Sequence, residues 1–174
     1  MSTRLILVSR WRLETTPERI WQLLSRPQKW PDWWTHLASV EPLVAGDAEG
    51  IGASHRFHWC SGLGYGISLV ITTTRSLHLR EIEGVAGGDL RGIGLWVIEE
   101  DEPGAVRLTY RWDVELAKPW MRFFAPLLRP VFAWRHFTVM SCGARGMAQR
   151  LGCRLGEIEE WSTIRFLAPN ATAG

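Results

Sequence analysis

Apolar and polar residues alternate along much of the chain between residues 37 and 116, and a period of two is typical of half-buried strands. In the clearest case, Tyr110 and Trp112 share an apolar face while Arg111 and Asp113 share a polar one. Seven strands are predicted, at residues 5–14, 37–45, 53–60, 65–76, 79–86, 90–101 and 105–116. Short, turn-rich connections after the second strand predict antiparallel neighbours.

Helical signals follow the first strand. Thr16 suits the N-cap position, Pro17 the first helical position and Glu18 the positive end of the helix dipole. This helix is predicted to end near Pro27, and a second helical turn is predicted from Pro31. Two short helices should therefore separate the first strand from the others.

The longest helical pattern in the chain covers residues 119–151, and its first part contains three prolines, Pro119, Pro126 and Pro130. Because proline interrupts helices, this pattern predicts a short helix at 119–125 and a long one at 128–151. Helical spacing places one mostly apolar set on a single face of the long helix: Phe132, His136, Met140, Ala144, Met147 and Leu151.

The order of these elements predicts an α+β fold in which a strongly bent antiparallel sheet wraps its apolar face around the long helix. Such a sheet is expected to leave a cavity of about 300–1,000 Å³ beneath residues 132–147. Residues 1–153 should form this single domain. Residues 154–174 lose the pattern and are expected to form a loosely ordered C-terminal extension.

The composition excludes several classes of protein. The 174 residues suit one globular domain, and a net charge of +2 without runs of like charge argues against a general nucleic-acid binder. Three cysteines without a CxxC pair argue against a disulfide framework or a structural zinc site. Without a long apolar run or an evident leader, a cytoplasmic protein with no stable membrane insertion is expected.

Four stretches of this chain resemble the SRPBCC superfamily, also called START-like or polyketide cyclase/dehydrase-like, and within it one bacterial branch. They are residues 13–21, residues 30–34, residues 88–96 with 104–112, and residues 118–121 with 125–132 and 134–136. The resemblance covers about residues 4 to 152. It implies the helix-grip fold, with a curved seven-stranded sheet wrapped around the long C-terminal helix.

The chain has eleven tryptophans, and this resemblance implies that many of its aromatic residues line a cavity. The alternative is that the rings simply fill the core. The candidate ligand-binding residues are Trp33, Trp34, Phe57, Trp59, Trp96, Tyr110, Trp112, Phe124, Phe132, His136 and Met140.

Two of these residues are also candidate catalytic groups. His136 interrupts an apolar helix face, and Tyr110 lies on the apolar face of the last strand, so either could orient a ligand or move a proton. A core histidine with an ordinary partner is the alternative for His136.

His55 and His58 should point to opposite faces of a strand, which disfavours a shared metal. No cofactor and no metal are expected.

Three functions stay open. The first is binding of a small hydrophobic molecule, aromatic, polyketide-like or lipid-like, by a monomer or homodimer. The second, implied by the resemblance, is a cyclase or dehydratase acting in the same cavity. The third is a protein-interaction role, co-chaperone-like or ribosome-associated, in which Trp33, Trp34 and Trp120 would be exposed.

Residues 118–129 are expected to form a lid over the cavity, with an interfacial membrane helix as the alternative.

Overall fold

Eight strands form one antiparallel sheet in the computed structural model, which describes residues 2–60, 66–115 and 125–167. The strands are β1 (Ser2–Leu13), β2 (Leu37–Val44), β3 (Ser54–Cys60), β4 (Gly66–Leu77), β5 (Glu81–Gly88), β6 (Arg91–Glu100), β7 (Val106–Glu115) and β8 (Leu155–Leu167). The helices are α1 (Pro17–Leu24), a 3₁₀ helix (Pro27–Asp32) and the long α2 (Ala125–Leu151). The predicted α+β helix-grip fold is confirmed, with one strand more than the seven predicted.

The strand order across the sheet is β2-β3-β4-β5-β6-β7-β1-β8. Strands β2 to β7 follow one another through short connections, as the turn residues predict. β1 then pairs with β7 on one side, where Leu7 lies opposite Trp112 and Trp11 lies opposite Leu108. This pairing joins the first strand of the chain to the last strand before α2.

The C-terminal extension is where the sequence-based prediction was wrong. Residues 155–167 form β8, which pairs with β1 from Ser2 opposite Leu167 to Leu13 opposite Leu155. Gly152, at a φ of 61°, ends α2, and the Cys153 amide donates to the Ala148 carbonyl oxygen at 3.0 Å. This left-handed glycine turns the chain directly into the strand. Residues 168–174 lie outside the described part.

The prolines of α2 interrupt it less than predicted. The helix begins at Ala125 and continues through Pro130 to Leu151, so neither Pro126 nor Pro130 ends it. Pro126 lies in the first turn, where its missing N–H would have no helical partner anyway. The predicted short helix at 119–125 lies almost entirely outside the described residues.

The core consists of two clusters of buried side chains on the face of the sheet that α2 covers. The first, under the second half of α2, contains Trp11, Trp34, Trp96, Met140 and Met147. The second contains Leu5, Leu7, Leu69, Ala86, Trp112, Val114 and Ala133. Trp59, Ile71 and Tyr110 pack against both clusters and so connect them.

Candidate ligand-binding site

Trp33 and Trp34, both predicted to line a cavity, lie in the core beneath α2. They are 7% and 1% exposed, and their indole rings stack with centroids 5.3 Å apart. The Trp34 Nε1 donates to the Val139 carbonyl oxygen of α2 at 2.9 Å. A Cβ atom added at Gly143 would overlap the Trp34 indole, so α2 packs directly on this ring. Exposure of these two tryptophans, which the protein-interaction alternative required, is therefore not found.

Phe57, Trp96 and Met140 belong to the same buried cluster as this tryptophan pair, and Trp59 packs against that cluster. The Trp59 ring lies 5.0 Å from Trp34 and the Trp96 ring 6.3 Å from it, each nearly perpendicular to the Trp34 plane. Phe57, Trp96 and Met140 are each 5% exposed or less. In this half of the molecule, the aromatic set fills the core as the alternative interpretation expected.

The second cluster is covered less completely. Trp112 is buried there with Ala133 of α2, but several large apolar residues that pack against them are only half-buried. These half-buried residues are Trp59, Ile67, Ile71, Leu90, Phe137 and Ile164.

Tyr110 and His136 meet at the border between the two clusters. Their rings are nearly parallel, with an interplanar angle of 21° and centroids 6.2 Å apart. The Tyr110 ring also packs on the Trp96 ring, with centroids 4.4 Å apart. A Cβ atom at Gly94 would lie 2.7 Å from the Tyr110 hydroxyl oxygen, so only glycine lets the phenol lie flat over β6. The strand alternation that predicted an inward Tyr110 is thus accompanied by a matching glycine.

Burial keeps both of these groups uncharged. It lowers the pKa of His136 from 6.5 to about 3 and raises the pKa of Tyr110 well above its usual range. The His136 Nε2 atom is shielded from solvent and has no hydrogen-bond partner among the described residues. A buried polar atom without a partner costs about 1–3 kcal/mol, and a ligand atom that supplied the missing hydrogen bond would remove this cost.

One polar residue near this pair was missed from the sequence. Ser9 is fully buried on β1, opposite Tyr110 on one side and Glu160 on the other, and its Oγ has no partner among the described residues. The sequence did contain a signal for Ser9: it is the one hydroxyl residue among the alternate, otherwise apolar positions of the first strand from Leu5 to Leu13. At the rim, Ser141 of α2 donates to Glu160 at 2.8 Å.

Phe132 does not join this group. Phe132 was predicted to lie on the apolar face of α2, but it is 36% exposed. The buried face of the helix begins instead at Ala133 and His136. Phe124 lies outside the described residues, as do Trp120 and most of the expected lid. Within the described part of that segment, Leu127 is 70% exposed.

Two surface clefts lie away from this region. The larger, about 360 Å³, lies between the 3₁₀ helix and the β2–β3 hairpin and includes Gln28, Leu43 and His55. The smaller, about 200 Å³, includes Arg26, Trp33 and Arg150. Neither lies beneath residues 132–147, where the cavity was predicted.

The two histidines of β3 face opposite sides of the sheet, as predicted. His55 is buried and hydrogen-bonds Gln28 at 2.8 Å, while the His58 side chain is 40% exposed. Within residues 2–60, 66–115 and 125–167, no three His, Cys, Asp or Glu side chains are arranged to hold a metal ion. No helix in these ranges is long and apolar enough to cross a membrane.

The family model described as polyketide cyclase / dehydrase and lipid transport matches residues 8–152. The chain therefore belongs to this family, and the expected SRPBCC membership is confirmed. A search of curated protein sequences gives no significant match.

Solved structures share the fold at low sequence identity. TTHA0849 from Thermus thermophilus is 18% identical with a TM-score of 0.69, covering 84% of this chain and 96% of that one. A START superfamily protein from Mycobacterium smegmatis is 15% identical with a TM-score of 0.67, covering 84% and 97%. The Zhui aromatase/cyclase from Streptomyces sp. R1128 is 13% identical with a TM-score of 0.68, covering 85% and 94%. At these identities the likeness concerns the fold alone.

Proposed function

We propose that the protein binds a small hydrophobic molecule, aromatic, polyketide-like or lipid-like, between the sheet and the first half of α2. The observation that carries this proposal is the buried, unpartnered Nε2 of His136 beside the Tyr110 ring. A ligand carbonyl or hydroxyl would supply the missing hydrogen bond, and the apolar side chains of the second cluster would hold the rest of the molecule. The family description, which includes lipid transport, agrees with this function.

On the helix side, the proposed site is bordered by Ala133, which lies one turn before Phe137 on α2. Ala133 is 7% exposed and packs with Leu7 and Trp112 of the sheet. A larger side chain at this position would occupy the space that the ligand needs. Position 133 is therefore the place at which binding can be blocked without removing a polar anchor.

The first experiment is native mass spectrometry of the protein purified from its own cells, to find a co-purified ligand. Ala133→Phe should lose the bound mass, while Val131→Phe, on the exposed side of the same helix, should retain it. His136→Phe and Tyr110→Phe should each weaken retention, because each removes one polar partner. Retention by all four variants would refute a site between sheet and α2.

Catalysis in the same site is the second candidate function, and it is supported by the neutral state of Tyr110 and His136. A neutral imidazole and an un-ionised phenol can both donate a hydrogen bond to a carbonyl oxygen, as an aldol-type cyclisation or a dehydration requires. Incubation with a poly-β-ketone analogue distinguishes the two functions. A catalyst returns a ring-closed or dehydrated product, whereas a binder returns the compound unchanged.

A further inference from the structure

One edge of the sheet is formed by β8, the strand that was not predicted from the sequence. It is the last strand in the order of the sheet, so within the described residues only β1 pairs with it. β8 extends over 13 residues and contains no proline and no lysine. It also lies outside residues 8–152, which the family model matches. A long edge strand of this kind is a template for pairing with another strand.

The opposite edge of the sheet, β2, is protected against such pairing. It has eight residues and contains Pro42, and its register with β3 shifts at two places. Proline and irregular register are devices by which natural sheets prevent edge pairing. The register of β8 with β1 shifts only near the first residues of β8, between Leu155 and Ile158. Of these two edges, β8 is therefore the one that can accept a partner.

The central part of β8 is complementary to itself. Antiparallel pairing of two copies about Trp161 places residues of similar polarity opposite each other and no acid directly opposite another acid. The pairs are Ile158 with Ile164, Glu159 with Thr163, and Glu160 with Ser162. Each pair joins side chains of the same face of the sheet, as two-fold symmetric pairing requires. A second copy of the chain is therefore a partner that fits this edge.

The side of α2 next to β8 exposes large apolar side chains. Leu127, Trp134 and Ser141 follow one another at intervals of seven residues, so they lie along one line of the helix. The Ser141 hydroxyl donates to the Glu160 carboxylate of β8 at 2.8 Å, which places this line on the β8 side of α2. Leu127 and Trp134 are nevertheless 70% and 63% exposed. These two residues are called the α2 stripe.

We propose that two copies of this chain form a symmetric dimer in which the β8 strands pair antiparallel about Trp161 and the two α2 stripes face each other. A two-fold axis perpendicular to the sheet relates the copies, so the sheet continues across the interface and both α2 helices lie on the same face of it. The proposal is independent of what occupies the site between sheet and α2.

The two parts of this interface are geometrically compatible. α2 contacts both β1 and β8. With neighbouring strands about 4.8 Å apart, the two α2 axes would lie about 10–14 Å apart across the symmetry axis. Packed helices lie about 8–10 Å apart, and side chains as large as Trp134 fill the wider spacing.

A second copy also accounts for more of this surface than other partners do. An extended peptide would pair with the backbone of β8 but would leave the α2 stripe uncovered. A lipid bilayer would cover the stripe but would offer no strand to the β8 edge. A second copy covers both features at once.

Sedimentation velocity of the full chain over a range of concentrations tests the dimer. The protein should change from one chain to two as its concentration rises. Trp134→Asp should raise the dimer dissociation constant by about tenfold or more, because it places a carboxylate in the apolar contact between helices. Val44→Asp is the matched control, since Val44 is 55% exposed but lies on β2 at the other edge, and it should dimerise like the unchanged protein.

Disulfide formation tests the register. Trp161→Cys should form an intermolecular disulfide on mild oxidation, because residues opposite each other in an antiparallel pair have Cα atoms about 4.5–5.5 Å apart. Glu159→Cys, on the same face but opposite Thr163 instead of its own copy, should not. Peptide mass mapping separates this bond from any made by the three native cysteines, all of which lie outside β8.

The proposal is overturned if the unchanged protein stays a single chain at every concentration or assembles beyond two chains. It is also overturned if Val44→Asp weakens association as much as Trp134→Asp does. A dimer in which Trp161→Cys does not cross-link, or in which Glu159→Cys cross-links equally well, would use a different surface or register and would equally refute it.

Discussion

At the scale of single residues, His136 is placed where a charged imidazole is unfavourable, because α2 and the sheet exclude water from its Nε2. Burial lowers its pKa from 6.5 to about 3, so the unfolded chain binds more protons than the folded protein between these values. Protonation of His136 in the unfolded chain therefore does not affect stability above pH 6.5, and it lowers the free energy of unfolding progressively as the pH falls from 6.5 toward 3.

The free energy of unfolding should consequently fall on acidification by up to about 1.4 kcal/mol per pH unit from this residue. Urea unfolding of the unchanged protein and of His136→Phe at pH 7 and pH 5 measures the effect. The variant should lose less stability over this interval. His55, whose pKa burial also lowers, is present in both proteins and so cancels in the comparison. Equal losses in the two proteins would contradict the assigned burial.

Gly143 shows how a missing side chain can determine packing. An added Cβ would overlap the rigid Trp34 indole, and at Gly146 it would overlap the Trp33 carbonyl oxygen. Gly143→Ala should therefore destabilise the protein by about 1–3 kcal/mol despite the better helix propensity of alanine. Chemical denaturation of Gly87→Ala provides the control, because nothing lies within 4 Å of a Cβ at that position. A stability gain in Gly143→Ala would show that α2 does not pack on Trp34 as described.

At the scale of elements, β8 is the feature that most changes the expected molecule. Its residues alternate between the α2 side, where Ile158 packs against the first core cluster, and the outer side, where Thr163 is exposed. Ile158→Asp should lower the free energy of unfolding by at least about 2 kcal/mol, because it places a carboxylate against the core.

Thr163→Asp is the matched change on the other face of the same strand and should alter stability by less than about 0.5 kcal/mol. Thermal unfolding of both variants distinguishes a paired strand from a loose tail. If Ile158→Asp unfolds at the same temperature as the unchanged protein, β8 does not contribute to the fold.

At the scale of the whole molecule, one continuous sheet carries both core clusters. β1 contributes Trp11 to the first cluster and Leu7 to the second, and Trp59, Ile71 and Tyr110 contact both. Neither cluster can then lose its packing without disturbing the other. Tryptophan fluorescence, which reports mainly on the first cluster, and far-UV circular dichroism should follow one coincident unfolding transition. Two separated midpoints would indicate that the clusters unfold independently.

The sequence alone determined the seven strands from β1 to β7, the two short helical segments and most of α2. Their boundaries follow from local signals, such as the alternation that buries Leu108 and Trp112 in β7 and leaves Arg107 and Asp113 less buried. Alternation arises because successive side chains of a strand point in turn to the core and to solvent, so the pattern can be recognised from adjacent residues alone. Strand alternation also placed Tyr110 on an inward face, and helical spacing did the same for His136.

The tertiary structure decided what depends on distant residues. β8 forms because β1, more than 140 positions away along the chain, presents an unpaired edge to it. Whether Trp34 lines a cavity or fills the core depends on how closely Gly143 lets α2 approach. Whether His136 finds a partner depends on every side chain around it. These outcomes are set by which surfaces meet across the fold, and local periodicity carries no information about that choice.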